Sequence, residues 1–173
     1  MHIDLAGRSV YLFPPGHSVT LEQINIANIK DAASLLKNNH RLFGCFITDK
    51  FLQEGAKLDG RWFMVHAMYQ GTKRTESIGL CCAKMIDRPK ITAEVAIGIA
   101  AQHCGHGFGL AAHILLASHL KKIHTKELRV SIPHTILGQR RHCALKFARA
   151  ASYEYHHFDE LNDADVLYRR MSA

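Results

Sequence analysis

The residues with the clearest chemical meaning are Gly105-His106-Gly107-Phe108-Gly109, set between two apolar stretches. Ile91 to Ala100 before them is almost all apolar, and Leu110 to Ile123 after them repeats apolar residues at helical spacing. A helix start offers backbone N–H groups that lack an internal partner, together with the positive end of the helix dipole. Phosphate binds there readily. Glycines let the backbone come close and adopt conformations barred to other residues. A strand, a glycine turn and a helix in that order make an anion cradle. The second chemical signal is Glu94, the only carboxylate in Ile91 to Ala100. A carboxylate among apolar residues tends to hold its proton more tightly and to serve as an acid or base.

Two phosphate-binding patterns fit this turn poorly. A Walker loop ends in Gly-Lys-Ser/Thr, whereas this turn runs Gly107-Phe108-Gly109-Leu110 without a lysine. A dinucleotide fingerprint, Gly-x-Gly-x-x-Gly, fails from Gly105 because its last position is Leu110. From Gly107 it ends on Ala112, which is tolerated, but that motif follows the first strand of a parallel unit. Here the turn follows a run of strands that read as antiparallel.

The elements around the turn come from periodicity. Ser9 to Phe13 reads as a strand closed by Pro14-Pro15-Gly16, and Leu21 to Leu36 as a helix interrupted near Asn28. Leu42 to Leu52 reads as a shorter helix. Arg61 to Tyr69 and Ser77 to Ile86 read as a hairpin through Gln70-Gly71-Thr72-Lys73. After the turn Asp87 to Lys90 comes the strand Ile91 to Ala100, apolar enough to be covered on both faces. Leu110 to Ile123 is a helix packed through Ala111, Ile114, Leu115, Ala117, Ser118 and Leu120, and Glu127 to Ile132 is a strand. Ile136 to Ala151 is a second long helix, and Ser152 to Phe158 and Val166 to Met171 are closing strands. The order predicts a mixed α/β layer fold.

Composition sets the outer limits. At 173 residues, residues 1–173 are expected to form a single domain. Hydrophobic residues at 47% and charged residues at 21% exclude a disordered chain. No apolar run approaches the roughly 20 residues of a membrane span, and Met1 to Gly16 lacks the features of a signal peptide, so a cytoplasmic protein is expected. The cysteines, Cys45, Cys81, Cys82, Cys104 and Cys143, suit neither a disulfide framework nor a zinc site; most read as small buried hydrophobes. None of the 13 histidines sits in a helical His-x-x-x-His pair, and the adjacent His156 and His157 should face opposite sides of a strand, so no metal is expected. The formal charge of +7 favours an anionic partner. Its densest pairs, Lys121-Lys122 and Arg140-Arg141, lie beside no aromatic platform, which argues against nucleic acid and leaves a phosphate-rich cofactor.

The run Ala93-Glu94-Val95-Ala96-Ile97-Gly98-Ile99-Ala100-Ala101-Gln102-His103-Cys104-Gly105-His106-Gly107-Phe108-Gly109 resembles the core motif of the GNAT superfamily of acetyl-CoA-dependent N-acetyltransferases. The likeness is sharp from Glu94 to Leu116 and extends in element order over Ser77 to Tyr155. It looks closest to the branch that acetylates ribosomal-protein N-termini and polyamines, where an acidic residue also precedes the first turn glycine by eleven positions, as Glu94 precedes Gly105. The family pattern Gln/Arg-x-x-Gly-x-Gly/Ala fits in two registers, Gln102-Gly105-Gly107 by letter and Cys104-Gly107-Gly109 by distance from strand and helix. The second places Cys104 where the family has Gln or Arg.

The resemblance implies a mainly antiparallel sheet with helices on both faces and a splayed parallel pair at the acetyl-CoA site. It implies that Cys104, Gly105, His106, Gly107, Phe108, Gly109 and Leu110 hold the pyrophosphate and that Ile97, Gly98 and Ile99 run beside the pantetheine. An acceptor amine, with a pKa of about 10, must lose a proton before it attacks the thioester. Glu94 is the candidate acceptor of that proton, against a plain role as a strand-end partner of Arg88 or Lys90. The family's helix tyrosine, which protonates the leaving thiolate, falls on Ala148, its helix asparagine on Arg141, and its Gly-Phe pair on Ser152-Tyr153. Tyr153, Tyr155, Cys143 or a water would then supply the proton, although a thiolate of pKa about 8.5 leaves without help. Gln139 to His142 form a basic cluster suited either to the ribose 3′-phosphate or to solvent. The implied function is an N-acetyltransferase, monomer or homodimer, acting on a small amine, a peptide N-terminus or a lysine, against a non-catalytic acyl-CoA sensor.

Overall fold

The computed structural model describes residues 2–3, 9–12, 17–38, 61–69, 71, 74–87, 91–135 and 138–171. The expected helix Leu42 to Leu52 lies outside them, as does Cys45. The described elements are β1 (His2–Ile3), β2 (Ser9–Leu12), β3 (His17–Gln23), α1 (Ile29–Asn38), β4 (Trp62–Met68), β5 (Thr75–Asp87), β6 (Thr92–Ile99), a 3₁₀ turn (Ala101–His103), α2 (Phe108–Lys122), β7 (Glu127–Pro133), α3 (Gln139–Ala150), β8 (Glu154–Asp159) and β9 (Ala164–Arg170). This is the expected mixed α/β fold. The chain forms two compact units interleaved in sequence, Met1–Ala83 with Ala96–Ser118, and Lys84–Val95 with His119–Ala173.

In the first unit β1 to β4 pair antiparallel in chain order, and β4 forms the expected hairpin with β5, with a bulge at Val65/His66. β5 neighbours β6. Even-numbered residues of β4, Trp62 and Met64, join Ile24, Ala32, Leu80 and Cys82 in a buried cluster against which Ile29, Ala33 and Leu35 of α1 pack. Fully burying an aliphatic side chain of this size contributes about 1.5–3 kcal/mol, so this face is a principal source of stability. The start of α2 lies on the other face. Its Phe108 meets Tyr69, and its Gly109 abuts Ile99.

One expectation is overturned here. Leu21 to Leu36 is not one interrupted helix: Leu21 belongs to strand β3, and α1 begins only at Ile29. Val19, fully buried, makes β3 a core strand paired on both sides. The break was rightly placed. The backbone N–H of Asn25 donates to Asn28 Oδ1 at 2.7 Å and that of Ala27 to Asn25 Oδ1 at 2.8 Å. Such side-chain-to-backbone bonds compete with helix and turn the chain instead.

In the second unit β6 and β7 pair in parallel, Thr92 with Glu127, Ala93 with Leu128 and Glu94 with Arg129. β9 then pairs antiparallel with both β7 and β8. The expected separation of His156 and His157 fails. A register shift between Tyr155 and His157 bulges β8, and the two rings lie 5.0 Å apart. A bulge adds one residue and so breaks the two-sided alternation. The cysteine expectation holds for half of the described set: Cys81 and Cys82 are buried, Cys104 and Cys143 exposed, and none of the four is in a disulfide.

Two backbone features define sharp tests. A Cβ on Gly79 would fall 2.2 Å from the Gly98 carbonyl oxygen, whereas one on Gly109 would meet Ile99 Cγ1 at an ordinary 3.7 Å. Gly79→Ala is expected to destabilise by roughly 1–3 kcal/mol or more through overpacking, and Gly109→Ala, inside a helix, to stabilise by up to about 1 kcal/mol. Urea unfolding midpoints of the two variants should move in opposite directions. Just past the end of α3, Ser152 holds φ +61, a left-handed backbone where the resembled family carries glycine. That conformation costs a side-chain-bearing residue about 1–2 kcal/mol. Ser152→Gly should therefore raise the thermal midpoint, and a lowered one would refute the strain.

Candidate functional site

The turn between β6 and α2 has the backbone that its glycines suggested. Gly105 and Gly107 adopt φ +84 and +81, the left-handed region that glycine alone enters freely. The first helical bond of α2 runs from the Ala111 N–H to the Gly107 carbonyl at 3.0 Å. The N–H groups of Phe108, Gly109 and Leu110 thus fall in the first turn, where helix geometry provides no internal acceptor. Cys104, Gly105, His106 and Gly107 are exposed, Gly109 and Leu110 half-buried, and Phe108 only 1% exposed. The conformational demand therefore falls on Gly105 and Gly107, and Gly109 belongs to the helix. Cys104 turns its thiol back onto the chain, donating to the carbonyls of Ile99 at 3.5 Å and Ala100 at 3.6 Å. Gln102, the alternative first letter of the motif, is exposed.

The strand leading into the turn sorts its own peptide groups. The Ala100 N–H donates to the Ile78 carbonyl at 2.8 Å, and the Gly98 carbonyl faces Gly79. Even-numbered residues here direct their backbone to β5. Alternation then sends the peptide groups of Ile97 and Ile99 the other way. Of the three residues expected beside a pantetheine arm, these two present their N–H and C=O groups on the side away from β5. Gly98 serves instead in the close contact with β5.

Beneath the turn lies a cluster that sequence reasoning missed. Tyr69 Oη and His103 Nδ1 are hydrogen-bonded, 2.5 Å apart. His103 Nε2 stands 3.3 Å from Glu76 Oε1. Burial, helped by the Glu76 charge, raises the Tyr69 pKa above its ordinary value and keeps the phenol protonated. On the opposite face of β4, His66 Nε2 and Glu22 Oε2 are 2.8 Å apart and Ser77 Oγ lies 3.1 Å from His66 Nδ1. Asn28 fixes the other Glu22 oxygen at 2.8 Å. These chains join residues far apart in sequence, so only the faint signal of polar residues within apolar strands pointed to them.

Glu94 lies in the second unit and is not in apolar surroundings. Its side chain is 30% exposed. Ser131 Oγ donates to Glu94 Oε1 at 2.6 Å, and Arg129 Nε approaches the same oxygen at 3.6 Å. Arg129 also reaches Asp159 Oδ2 at 3.4 Å. Among the described residues the ion-pair partner of Glu94 is Arg129; Arg88 and Lys90 lie outside them. A carboxylate held on one oxygen by a hydroxyl and a guanidinium is fixed in orientation. The signal for Ser131 and Arg129 was present in Glu127-Leu128-Arg129-Val130-Ser131-Ile132, whose polar residues alternate onto one face.

The remaining site candidates divide. Tyr153 is 5% exposed, and burial pushes its hydroxyl well above the usual phenol range, which makes it a reluctant proton donor. Tyr155 is 62% exposed on β8, and Cys143 is exposed on α3. Arg141 is engaged by Asp165 Oδ2 and by the Pro133 carbonyl at 3.4 Å, so this member of the basic cluster ties α3 to its neighbours. Ala148, at the position of the family tyrosine, is fully buried. No group of metal-ligating side chains occurs among the described residues, and none of their helices is long and apolar enough to cross a membrane.

Asp159 anchors the outer end of the Glu94 network and yields a pH test. The Asn162 side chain, donating at 2.9 Å, chiefly holds its carboxyl below the usual range, with further help from backbone N–H groups and Arg129. A depressed folded pKa contributes stability above the unfolded value of about 4 that is lost as pH falls through the folded one. Asn162→Ala should lower the urea midpoint at pH 7, with the difference from wild type closing towards pH 2–3. An undiminished difference in acid would refute this source.

No protein-family model and no curated protein sequence matches the chain. Solved structures do. The GNAT domain of S. lividans PAT superposes with a TM-score of 0.74 at 14% identity, covering 98% of this chain and 100% of that one. The aminoglycoside acetyltransferase AAC(6')-Ib in complex with coenzyme A gives 0.64 at 16% identity, covering 88% and 94%. Spermidine/spermine N-acetyltransferase SpeG from Vibrio cholerae gives 0.61 at 15% identity, covering 88% and 93%. The chain has the fold of these acetyltransferases.

Proposed function

We propose that this chain, sharing the GNAT fold, is an N-acetyltransferase that moves an acetyl group from acetyl-CoA to a primary amine on a small molecule, a peptide N-terminus or a lysine. The observation that carries the reading is the turn before α2, where two left-handed glycines bring the chain onto a helix N-terminus. Acetyl-CoA supplies the thioester that makes acetyl transfer possible. The backbone amides from Gly105 to Leu110 would hold its pyrophosphate, and the peptide groups of Ile97 and Ile99 its pantetheine arm. Because these contacts come from the backbone, Cys104 in place of the usual Gln or Arg is compatible with them. We take both units as one acetyltransferase domain, since β5, β6 and α2 each run from one unit into the other.

Glu94 accepts the proton of the attacking amine, directly or through a water, and Ser131 keeps its carboxylate oriented. A positioned base contributes typically about 10²–10⁴-fold. The thiolate leaves without Tyr153, whose raised pKa suits a buried core phenol better than a proton donor. That same observation, with Ala148 in place of a tyrosine, supports the second reading, an acyl-CoA-binding sensor without turnover.

Saturating CoA should stabilise the protein by about 2.7 kcal/mol at about a hundredfold excess over its dissociation constant. A thermal shift with NAD but none with CoA would defeat the assignment. CoA release followed over an amine panel separates enzyme from sensor. Glu94→Gln is expected to lower kcat by about 10²–10⁴-fold, and turnover equal to wild type would remove Glu94 from the mechanism.

A further inference from the structure

The glycine turn needs an explanation for its order. Glycine loses more conformational freedom on folding than any other residue, and Gly105 and Gly107 both lie in an exposed stretch. A Cβ on Gly105 would meet nothing within 4 Å, so packing at that position does not hold the path. The turn is bracketed instead by two buried residues, His103 on entry and Phe108 on exit, at 8% and 1% exposure. One side chain touches both. The Tyr69 hydroxyl bonds His103 at 2.5 Å, and the Tyr69 ring meets Phe108 edge-on, with centroids 5.7 Å apart and planes at 87°. His103 and Phe108 are themselves in ring contact at 6.5 Å, and His106 within the turn lies 5.9 Å from Phe108. His17 of β3 packs on Tyr69 from behind at 5.4 Å.

We propose that Tyr69 is a positioning residue for the anion cradle, fixing both posts of the turn so that its amides stand ready for a phosphate group. The ligand side of this rests on the reading of the turn as a pyrophosphate site; the mechanical side does not. Tyr69 directly follows the last residue of β4, so these contacts tie the end of that strand to the turn. The phenol acts by holding a donor–acceptor bond and an edge-to-face ring contact, not by touching the phosphate. Pre-ordering of this kind raises affinity by removing the cost of ordering the loop on binding.

Tyr69→Phe isolates the bond, because the ring contacts with Phe108 and His17 survive. His103→Leu removes the bond from the other side, and His103→Asn keeps an amide oxygen able to accept the phenol proton. In the protein without ligand, amide hydrogen exchange over Gly105 to Leu110 should quicken about tenfold in Tyr69→Phe and His103→Leu and stay near wild type in His103→Asn. The CoA dissociation constant and the acetyl-CoA KM should rise about five- to tenfold, with kcat moving less than twofold. The double variant Tyr69→Phe/His103→Leu should be no worse than His103→Leu alone, since the bond is already absent from that variant. Unchanged exchange in the turn overturns the proposal. So does faster exchange spread evenly over the first unit with CoA affinity unaltered, which would make the bond an ordinary core contact. If wild type binds no CoA, the pyrophosphate reading fails, and exchange in the turn still decides the role of Tyr69.

Discussion

Strand β6 can approach β5 as closely as it does because residue 79 has no side chain. The Gly98 carbonyl occupies the space a Cβ would need, and Ala100 then bonds Ile78 one step further along. This close passage fixes which peptide groups of β6 are spent on the sheet and which are directed away from it. It also sets the direction in which the chain leaves the strand for the 3₁₀ turn Ala101–His103 and the glycines. The candidate site is therefore defined first by a backbone contact between two glycines and only afterwards by side chains.

The parts of this fold legible in the sequence were those with strong local grammar. The hairpin β4–β5, the apolar strand β6, the turn at Gly105 and helix α2 all stand close to where periodicity placed them. Strand β3 was hidden because Leu21 and Ile24 also fit a helical repeat, and only pairing with β2 and β4 decides between the two readings. The bulge that brings His156 and His157 together was equally invisible, since register shifts arise from the partner strand and leave little trace in the bulged one. Glu94 was legible as a lone carboxylate. Its partners Arg129 and Ser131 required the parallel pairing of β6 with β7, which is a long-range contact.

The departures from the resembled pattern have separable physical readings. Ser152 takes a backbone conformation that glycine would enter at lower cost, so the chain tolerates strain there without changing course. Arg141, standing at the position of the family asparagine, is spent on Asp165 and the end of β7. Tyr153 is retained as bulk within the second unit, and its hydroxyl is poorly disposed to give up a proton. What differs is concentrated in proton transfer and in helix α3, whereas the strand-turn-helix framework keeps its form.

The positive-φ glycines at 105 and 107 also bear on how such a protein can diverge. Selection on an anion cradle made of peptide groups acts on the path of the chain. The side chains beside and between the glycines carry little of that demand, so a thiol at 104 and an imidazole at 106 are compatible with the same backbone path. Drift can then proceed almost freely through the letters of the motif while the two glycines and the buried phenylalanine behind them stay fixed. A chain of this kind would be recognised by its shape long after its spelling had ceased to resemble that of its relatives.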